Sequence, residues 1–361
     1  MVSNMPGPDS PDGGADNSAP DVVVIAVTYN AADIIEDFLA ALPGALRGID
    51  STAVTIVDNA SVDGTPEAVE RVAPWVRLVR SDRNLGYAGG INLGFRHGLG
   101  RRGTYILNPD AVPAPDSVRI LLDAAVNDPT IGIVVPMIQN SDGVLKFSLR
   151  REPTLLRALG ETVLGGHRAA RFPLLGDMIR DPKAYHEGAT ADWATGAAMF
   201  LTRSAVEAVG RWDEQFFLYS EETDYALRTR DAGYRLHYTP RASVRHPGGE
   251  MSRSPLLWSL VATSRMRLYR KRHGPVLSAA YWVVLVANEG IRAAIGRQPN
   301  RAALRALLGI GDDPRANTPA DPSDGTGRQL PSGDPLGMSA ESPPAVARRK
   351  SSSRARKSFN Q

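Results

Sequence analysis

Apolar and polar positions in the first 140 residues predict strands that alternate with helices. The continuous apolar run from Val22 to Val27 is typical of a strand buried on both faces, and the stripe from Ile34 to Leu42 is typical of a helix. The same patterns predict strands at 22–27, 53–57, 76–79, 105–107 and 131–136, and helices at 32–42, 66–72, 90–99 and 116–126. This alternation predicts an α/β fold whose sheet is mainly parallel and is covered by helices on both faces.

The alternation weakens after residue 140. A strand is predicted at 198–202, a helix at 221–232 and extended chain at 234–246, whereas residues 150–190 show no assignable pattern. Both ends are rich in Pro, Gly, Ser and Asp, which is typical of disordered chain. The predicted organisation is a disordered lead at 1–20, a folded domain at 21–250, a basic amphipathic helical segment at 251–300 and a disordered basic tail at 311–361.

Composition narrows the classes of site that the chain can hold. Its 361 residues are 42% hydrophobic, enough for a sizeable core. The chain has no cysteine, so disulfides, thiolate zinc sites and a cysteine nucleophile are excluded, and a bound metal needs oxygen or imidazole ligands. The net charge is only +3, with basic clusters at 265–272 and 348–357, so we expect local contact with phosphates or an anionic surface and no nucleic-acid partner.

The segment from Val276 to Ala287 is the most apolar in the chain. It is shorter than the roughly 18 apolar residues that span a bilayer, and the first 20 residues lack the apolar core of a secretory signal. With Tyr281 and Trp282 beside the basic cluster, it predicts either a helix on a membrane surface or a buried core helix. We therefore expect a cytoplasmic protein that is peripheral on the cytoplasmic face of the plasma membrane.

Polar clusters follow three of the predicted strands. They are Thr28 to Asn30, Asp58 to Asp63 and Asn108 to Asp110. Alone, Asp110 is equally explained as a helix cap or a turn residue. The carboxyl ends of parallel strands share one edge of the sheet, where open α/β sheets bind ligands, so the three clusters together predict one ligand-binding crevice.

A glycine-rich stretch runs from Arg83 to Gly94 and enters a predicted helix. Its glycines would allow a phosphate to approach the backbone, and Arg83 would add positive charge. The spacing matches neither the dinucleotide fingerprint nor a P-loop, which disfavours a nicotinamide oxidoreductase. Close packing of the helix is the alternative explanation for the glycines.

Acidic and imidazole side chains farther along the chain are candidates for catalysis and metal binding. Glu221, Glu222 and Asp224 follow an aromatic run, which would keep them partly dry and favour a general base; capping of the helix is the alternative. His246 ends an extended segment and is either structural or a partner of Asp110 in a divalent metal site completed by a substrate diphosphate.

These motifs, in this order, resemble the family 2 glycosyltransferases of the GT-A fold, in particular the bacterial rhamnosyltransferase-like branch. The resemblance covers roughly Val22 to Gly296. It rests on the segments Val27 to Asn30, Val57 to Gly64, Asn84 to Gly90, Leu107 to Asp110, Trp193 to Ala197, Phe216 to Arg228 and His246 to Gly249.

The resemblance implies an inverting transfer of a sugar from a nucleotide-sugar donor to an acceptor hydroxyl. Asp58 would contact the nucleobase of the donor. Asp110 would be the last acid of an Asp-x-Asp motif in which Asn108 replaces the first acid, and together with His246 it would hold Mn2+ or Mg2+. Glu222 occupies the position where the family usually has the aspartate that acts as catalytic base, and Glu221 and Asp224 are the alternatives for that role. The other residues assigned near the donor are Thr28, Tyr29, Asn30, Arg83, Asn84, Gly89, Asn92 and Asn108, and those assigned to the acceptor are Trp193 and Gly196.

The substrates expected from the resemblance are dTDP-L-rhamnose and a cell-surface glycan or polyprenyl-diphosphate-linked sugar. A galactofuranosyl- or N-acetylglucosaminyltransferase is the alternative within the fold. A nucleotide-sugar-binding or scaffold protein without catalysis is the alternative from another class, favoured only by Asn108 and Glu222.

Overall fold

The computed structural model describes residues 19–247 and 254–310. The predicted disordered tail, nearly all of the predicted lead and the predicted domain boundary at 250 lie outside the described residues.

An eight-stranded mixed sheet forms the centre of the protein. Its strand order is β3-β2-β1-β4-β9-β6-β10-β5, and a separate two-stranded sheet pairs β7 with β8. The strands are β1 (Val22–Thr28), β2 (Thr52–Asp58), β3 (Arg77–Arg80), β4 (Gly103–Leu107), β5 (Val112–Pro113), β6 (Ile131–Gln139), β7 (Leu149–Arg150), β8 (Trp193–Ala194), β9 (Ala198–Thr202) and β10 (Arg235–Arg245).

Helices cover both faces of this sheet and continue beyond it at the C-terminal side. They are α1 (Ile35–Ala45), α2 (Thr65–Val72), α3 (Gly86–Arg96), α4 (Ser117–Val126), α5 (Leu155–Leu164), α6 (Gly166–Ala169), α7 (Arg203–Val209), α8 (Glu221–Asp231), α9 (Pro255–Arg272), α10 (Pro275–Ala294) and α11 (Gln298–Leu307).

The predicted α/β class is confirmed, because β1 pairs in parallel with β2 and β4, β2 with β3, and β6 with β10. All seven residues of β1 are buried, as expected for a strand with helices on both sides. Alternate β1 residues divide between two cores, with Val24 in one and Ile25 in the other. β9 runs antiparallel to β4 and β6 and makes the sheet mixed.

Several boundaries differ from the prediction. α3 begins at Gly86 rather than at residue 90, because the glycines that resembled a loop are already helical. The unassigned stretch at 150–190 contains α5, α6 and a short 3-10 helix at Pro182–Ala184, and the helical segment expected to end at 300 continues to Leu307. β10 accommodates Pro240 at a register shift between Thr239 and Ser243, where a proline costs no ladder bond.

The C-terminal helices are attached to the sheet region by polar contacts. In α9, Ser264 Oγ donates to Leu218 O at 3.0 Å, and Arg272 pairs with Glu152 at 3.2 Å. α10 has a buried side and an exposed side, since Tyr281 is fully buried whereas Val276 is 81% exposed. No helix in the part of the chain that the structure describes is long and apolar enough to cross a membrane.

Close packing of α3 on β1 predicts a stability effect at Gly94. A Cβ at this position would lie 2.6 Å from Ile25 Cγ2 in the buried strand, so Gly94→Ala should destabilise the protein by about 1–3 kcal/mol in urea unfolding. Gly44 in α1 is the matched control, because a Cβ there meets nothing within 4 Å and alanine is the better helix former. Equal stability of Gly94→Ala and Gly44→Ala would contradict this account of the packing.

Candidate active site

The carboxyl ends of β1, β2 and β4 lie side by side, as the sequence predicted. The register places Thr28 opposite Asp58, and β4 pairs with β1 on the other side. Thr28 Oγ1 donates to Asp58 Oδ1 at 3.0 Å, and both residues are buried. Asn108 follows β4 directly, and its N–H donates to Ala197 O at 3.0 Å. The three polar clusters therefore share one edge of the sheet.

The loop after β2 is held against the end of β1 by side-chain amide and carboxylate groups. Asp58 Oδ2 accepts the N–H of Ser61 at 3.0 Å, and Asn30 Oδ1 accepts the N–H of Val62 at 2.9 Å. Asn30 has a φ of 49°, in the left-handed region that asparagine tolerates. Tyr29, beside it, is half-buried. These contacts fix the wall where the nucleoside is predicted to bind.

The turn that leads into α3 is fixed by two asparagines. Asn84 Oδ1 accepts the N–H of Gly86 at 2.9 Å, and Asn59 Nδ2 donates to Gly86 O at 2.9 Å. Gly86 has a φ of +74°, and a Cβ there would lie 2.3 Å from Phe217 O. Asn59 was absent from the predicted site residues, although its place directly after Asp58 was a signal.

Packing explains most of the glycine-rich segment. Cβ atoms at Gly89, Gly90 and Gly94 would lie 2.7 Å or less from side-chain atoms of Leu85, Val27 and Ile25. These close approaches support the alternative explanation of the glycines, that they allow α3 to pack closely against its neighbours.

Asn92 in the same helix is 1% exposed, and its amide is fully engaged. Nδ2 donates to Trp212 O and Glu214 Oε1, and Oδ1 accepts the N–H of Trp212. This geometry leaves Asn92 no group for the predicted donor contact, whereas Arg83 is exposed at the start of the segment.

Asp110 and His246 meet as the sequence predicted. Asp110 Oδ2 lies 3.1 Å from His246 Nε2, although 136 positions separate them in the chain. The backbone N–H of His246 donates to Gln139 O at 2.9 Å, which fixes it beside the end of β6. Lys146 Nζ donates to the carbonyls of His246 and Pro247 at 3.1 and 2.9 Å. Burial lowers the pKa of Lys146, and the charge of Asp110 partly opposes this.

This pair has the donor set of a divalent cation site that a substrate completes. Among the described residues, no group of three His, Asp or Glu side chains converges on one point. Mg2+ and similar cations at phosphate-transfer sites need only one or two protein ligands, because substrate phosphates and waters supply the rest. A carboxylate oxygen and an imidazole nitrogen therefore fit Mn2+ or Mg2+ beside a diphosphate.

The acidic residues begin α8 after a strained turn. Tyr219 and Ser220 both have a φ of 68°, which is uncommon for non-glycine residues and is concentrated at functional sites. Asp224 is fully buried, with Arg228 Nε 2.8 Å from Oδ2 and Lys271 Nζ 2.7 Å from Oδ1. This geometry gives Asp224 a structural role and leaves Glu221 and Glu222 as candidates for the base.

Burial makes both glutamates weak acids. It raises the pKa of Glu222 to about 7, although the positive charge of Arg150 opposes the rise. Burial and the charge of Glu222 raise the pKa of Glu221 well above its ordinary value. The Oε2 atom of each glutamate is buried and accepts no hydrogen bond within the described chain. With a pKa of about 7, Glu222 is able to exchange protons near neutral pH.

The Tyr87 hydroxyl feels the charges of both the acids and Asp110. It is buried and has no hydrogen-bond partner in residues 19–247 or 254–310. Burial raises its pKa well above the ordinary value, and Glu221, Glu222 and Asp110 each raise it further through their charges. The three carboxylates are therefore close enough to act on a single phenol. Tyr87 was not among the predicted site residues, since half-buried tyrosines in helices are common in cores.

One of the two predicted acceptor residues, Gly196, borders Glu222. A Cβ on Gly196 would lie 3.1 Å from Glu222 Cβ, so the absence of a side chain there gives Glu222 its place. Trp193 Nε1 donates to Arg151 O at 2.9 Å, and the guanidinium of Arg150 lies 6.0 Å from the Trp193 ring centroid. Arg150 Nη1 is buried and has no hydrogen-bond partner in the described chain.

Comparison with known proteins identifies the family of this chain. The family model "Glycosyl transferase family 2" matches residues 23–187. An N-acetylglucosaminyl-diphospho-decaprenol L-rhamnosyltransferase of Mycobacterium tuberculosis is 34% identical over 234 residues, which are 62% of this chain and 75% of the relative. The chain belongs to glycosyl transferase family 2. The predicted family is thereby confirmed.

Other members and structures show more distant similarity. The galactofuranosyltransferase GlfT1 of Mycolicibacterium smegmatis is 27% identical to this family 2 chain over 286 residues, covering 75% of it and 87% of the relative. A mannosyltransferase of Pyrobaculum calidifontis, solved with GDP-Man and Mn2+, aligns over 83% of each chain with 24% identity and a TM-score of 0.49.

The pKa of Glu222 predicts how stability changes with pH. Because the folded-state value is raised to about 7 from 4.5, the contribution of Glu222 to stability is fully present below pH 4.5 and is lost as the pH rises through 7. Glu222→Gln should therefore raise the free energy of unfolding, measured with urea at pH 8, by about 1–3 kcal/mol relative to wild type. At pH 5 the two proteins should differ little. Glu207→Gln, at an exposed position in α7, should show no such gain. An equal effect at both pH values would contradict the raised pKa.

Proposed function

We propose that this family 2 glycosyltransferase transfers L-rhamnose from dTDP-L-rhamnose, with inversion, to a hydroxyl of a cell-surface glycan or a polyprenyl-diphosphate-linked sugar. One observation carries the proposal: Glu222, with a pKa of about 7, and Asp110, which lies 3.1 Å from His246, both act by their charges on the buried Tyr87 hydroxyl. A proton acceptor and a diphosphate-binding pair are the two parts that sugar transfer from a nucleotide donor requires. The rhamnosyltransferase relatives support the choice of sugar and acceptor.

Glu222 is the proposed base because its pKa and surroundings suit the task. It is partly exposed beside Gly196, whereas Glu221 is 4% exposed and its pKa is raised well above the ordinary value by burial and by the charge of Glu222. In the reaction Glu222 removes the acceptor proton, the acceptor oxygen bonds to the anomeric carbon from the far face, and the bond from that carbon to the diphosphate oxygen breaks. The nucleoside diphosphate leaves with the electron pair, and the configuration is inverted.

Asp110 and His246 are the proposed ligands of Mn2+ or Mg2+. When bound, such an ion offsets the negative charge of the leaving diphosphate. Lys146 holds the carbonyl side of His246 and adds a nearby positive charge. Thr28, Tyr29, Asn30 and Asp58 are proposed to form the nucleoside wall, with Arg83, Asn84, Gly89 and Asn108 nearer the sugar diphosphate, while Trp193 and Gly196 border the acceptor.

We also propose a peripheral location on the cytoplasmic face of the plasma membrane. The support is α10, which exposes Val276, Val283 and Ile291 at 81%, 57% and 57%. A nucleic-acid partner is disfavoured because part of the basic cluster is internally paired, Arg265 with Glu161 and Arg272 with Asp231.

Two other functions give distinct experimental results. The GlfT1 relative makes a galactofuranose donor the competing choice, so dTDP-L-rhamnose and UDP-galactofuranose should be offered side by side. A binding or scaffold protein would bind a nucleotide sugar without releasing nucleotide diphosphate. Release of dTDP that depends on an acceptor would support the proposed rhamnosyltransferase. Release of UDP alone would instead identify UDP-galactofuranose as the donor.

Substitution of the two glutamates separates their roles. Glu222→Gln should lower turnover about 10²–10⁴-fold, because the proton acceptor is lost, while dTDP binding is unchanged. Glu221→Gln is the matched control: Glu221 is 4% exposed and so is poorly accessible to an acceptor, and turnover should change less than about tenfold. Wild-type kcat should rise with pH through about 7. If only Glu221→Gln lost turnover, the base would be Glu221.

Substitution at Asp110 tests the metal through binding alone. Asp110→Asn should remove most of the extra thermal stabilisation that Mn2+ gives in the presence of dTDP, because a charged metal ligand is lost. The affinity for Mn2+ should fall about tenfold. Asp123→Asn is the control, since Asp123 lies near the end of α4, at the sheet edge where β6 begins. Manganese-dependent dTDP binding that survives in Asp110→Asn would show that this pair holds no metal.

A further inference from the structure

Two neighbouring cavities lie among the C-terminal helices, outside the candidate active site. Their volumes are about 560 and 490 Å3, and Arg270 and Trp282 line both. The larger is also lined by Asp213, Gln215 and Thr263 together with residues of α9 and α11, and the smaller by His273, Pro275, Ser278 and Ala279. Because they share two residues, we treat them as one cleft, the α9–α10 cleft.

Positive charge in the α9–α10 cleft is only partly neutralised. Arg270 is exposed, and its side chain makes no hydrogen bond or ion pair with the rest of the described chain. Arg267 Nη1 donates to the neutral amide of Gln215 at 3.2 Å. Lys271 is paired, with Nζ 2.7 Å from Asp213 Oδ2. Asp213 is the single carboxylate among the lining residues, so the cleft attracts anions.

Apolar side chains border this positive charge. In α10, Val276 is 81% exposed, Leu277 48% and Val283 57%. They are adjacent in sequence to Pro275, Ser278 and Trp282, which line the cleft. A cationic cleft beside exposed aliphatic residues and a tryptophan has the chemistry of a lipid interface, where phosphate meets acyl chain.

We propose that the α9–α10 cleft binds the phosphate group of an anionic lipid headgroup, with Arg270 and Arg267 as its charge partners and Trp282 as its wall. The proposal rests on the peripheral membrane location proposed above and names the residues that would recognise the lipid. Free inorganic phosphate has the same chemistry as the headgroup. The exposed residues of α10 favour the lipid, because a free ion gains nothing from aliphatic neighbours.

A bound lipid would lie next to the loop that leads to the glutamates. Asp213 and Gln215 line the cleft and precede Glu221 by fewer than ten positions, and Lys271 contacts both Asp213 and Asp224. The proposed site is thus in contact with the segment that positions the acids but contains none of the residues assigned to sugar transfer.

The test is flotation of the full chain with vesicles of phosphatidylcholine, with and without phosphatidylglycerol. Wild type should bind only the anionic vesicles. Arg270→Ala should weaken binding about fivefold and Arg270→Glu more strongly, as one cation near the surface is lost or reversed. Arg297→Ala is the matched control, because Arg297 is an exposed arginine at the start of α11 that does not line the cleft.

Tryptophan fluorescence separates the lipid from free phosphate. Short-chain phosphatidylglycerol should change the emission of wild type, and Trp282→Phe should remove that change, whereas inorganic phosphate at the same concentration should have little effect.

Each contrary result has a separate meaning. Equal losses in Arg270→Ala and Arg297→Ala would show diffuse attraction and overturn the cleft. An equal response to inorganic phosphate would overturn the lipid assignment. No vesicle binding at all would overturn the cleft and the membrane location together, while acceptor-dependent dTDP release would still decide the sugar transfer independently.

Discussion

The candidate active site depends on the burial of two carboxyl groups at the start of α8. Glu221 and Glu222 each carry a buried Oε2 without a partner in the described chain, an arrangement that is unfavourable for folding once the groups ionise. Both Tyr219 and Ser220 adopt left-handed φ values to present them. Such strain persists only where surrounding contacts outweigh it, so the packing around the 213–224 segment determines whether the site exists.

Contacts from two helices, α3 and α9, supply that packing. α3 contributes the amide of Asn92, which binds Trp212 through both of its polar atoms, and the N–H of Tyr87, which donates to Phe217 O at 2.8 Å. α9 contributes Lys271 to Asp224 and Ser264 to Leu218 O. The C-terminal helices are therefore part of the support of the candidate active site, and the glycines of α3 serve the same purpose by letting that helix lie close to β1.

The sequence was most informative where one local signal sufficed. β9 has its predicted bounds, Ala198–Thr202, and β1 extends one residue past its prediction, because continuous apolar runs specify buried strands. Residues 150–190 gave no periodic pattern, since their helices are short and α5 leaves Leu159 and Val163 exposed. Tyr87 and Arg150 were missed because a phenol in a helix and an arginine in a two-residue strand acquire chemical meaning only from distant neighbours.

The pair of Asp110 and His246 shows both what sequence patterns reveal and where they stop. Each residue followed a predicted strand, so strand topology alone brought them to one edge. Strand topology could not predict that Lys146 lies beside this pair, because Lys146 is in a loop and contacts the carbonyl of His246. In the proposed metal site, Asp110 and His246 are two protein ligands with one ammonium group nearby, and the phosphate oxygens of the donor are the groups best able to complete the coordination. Donor and metal are then expected to bind more tightly together than either does alone.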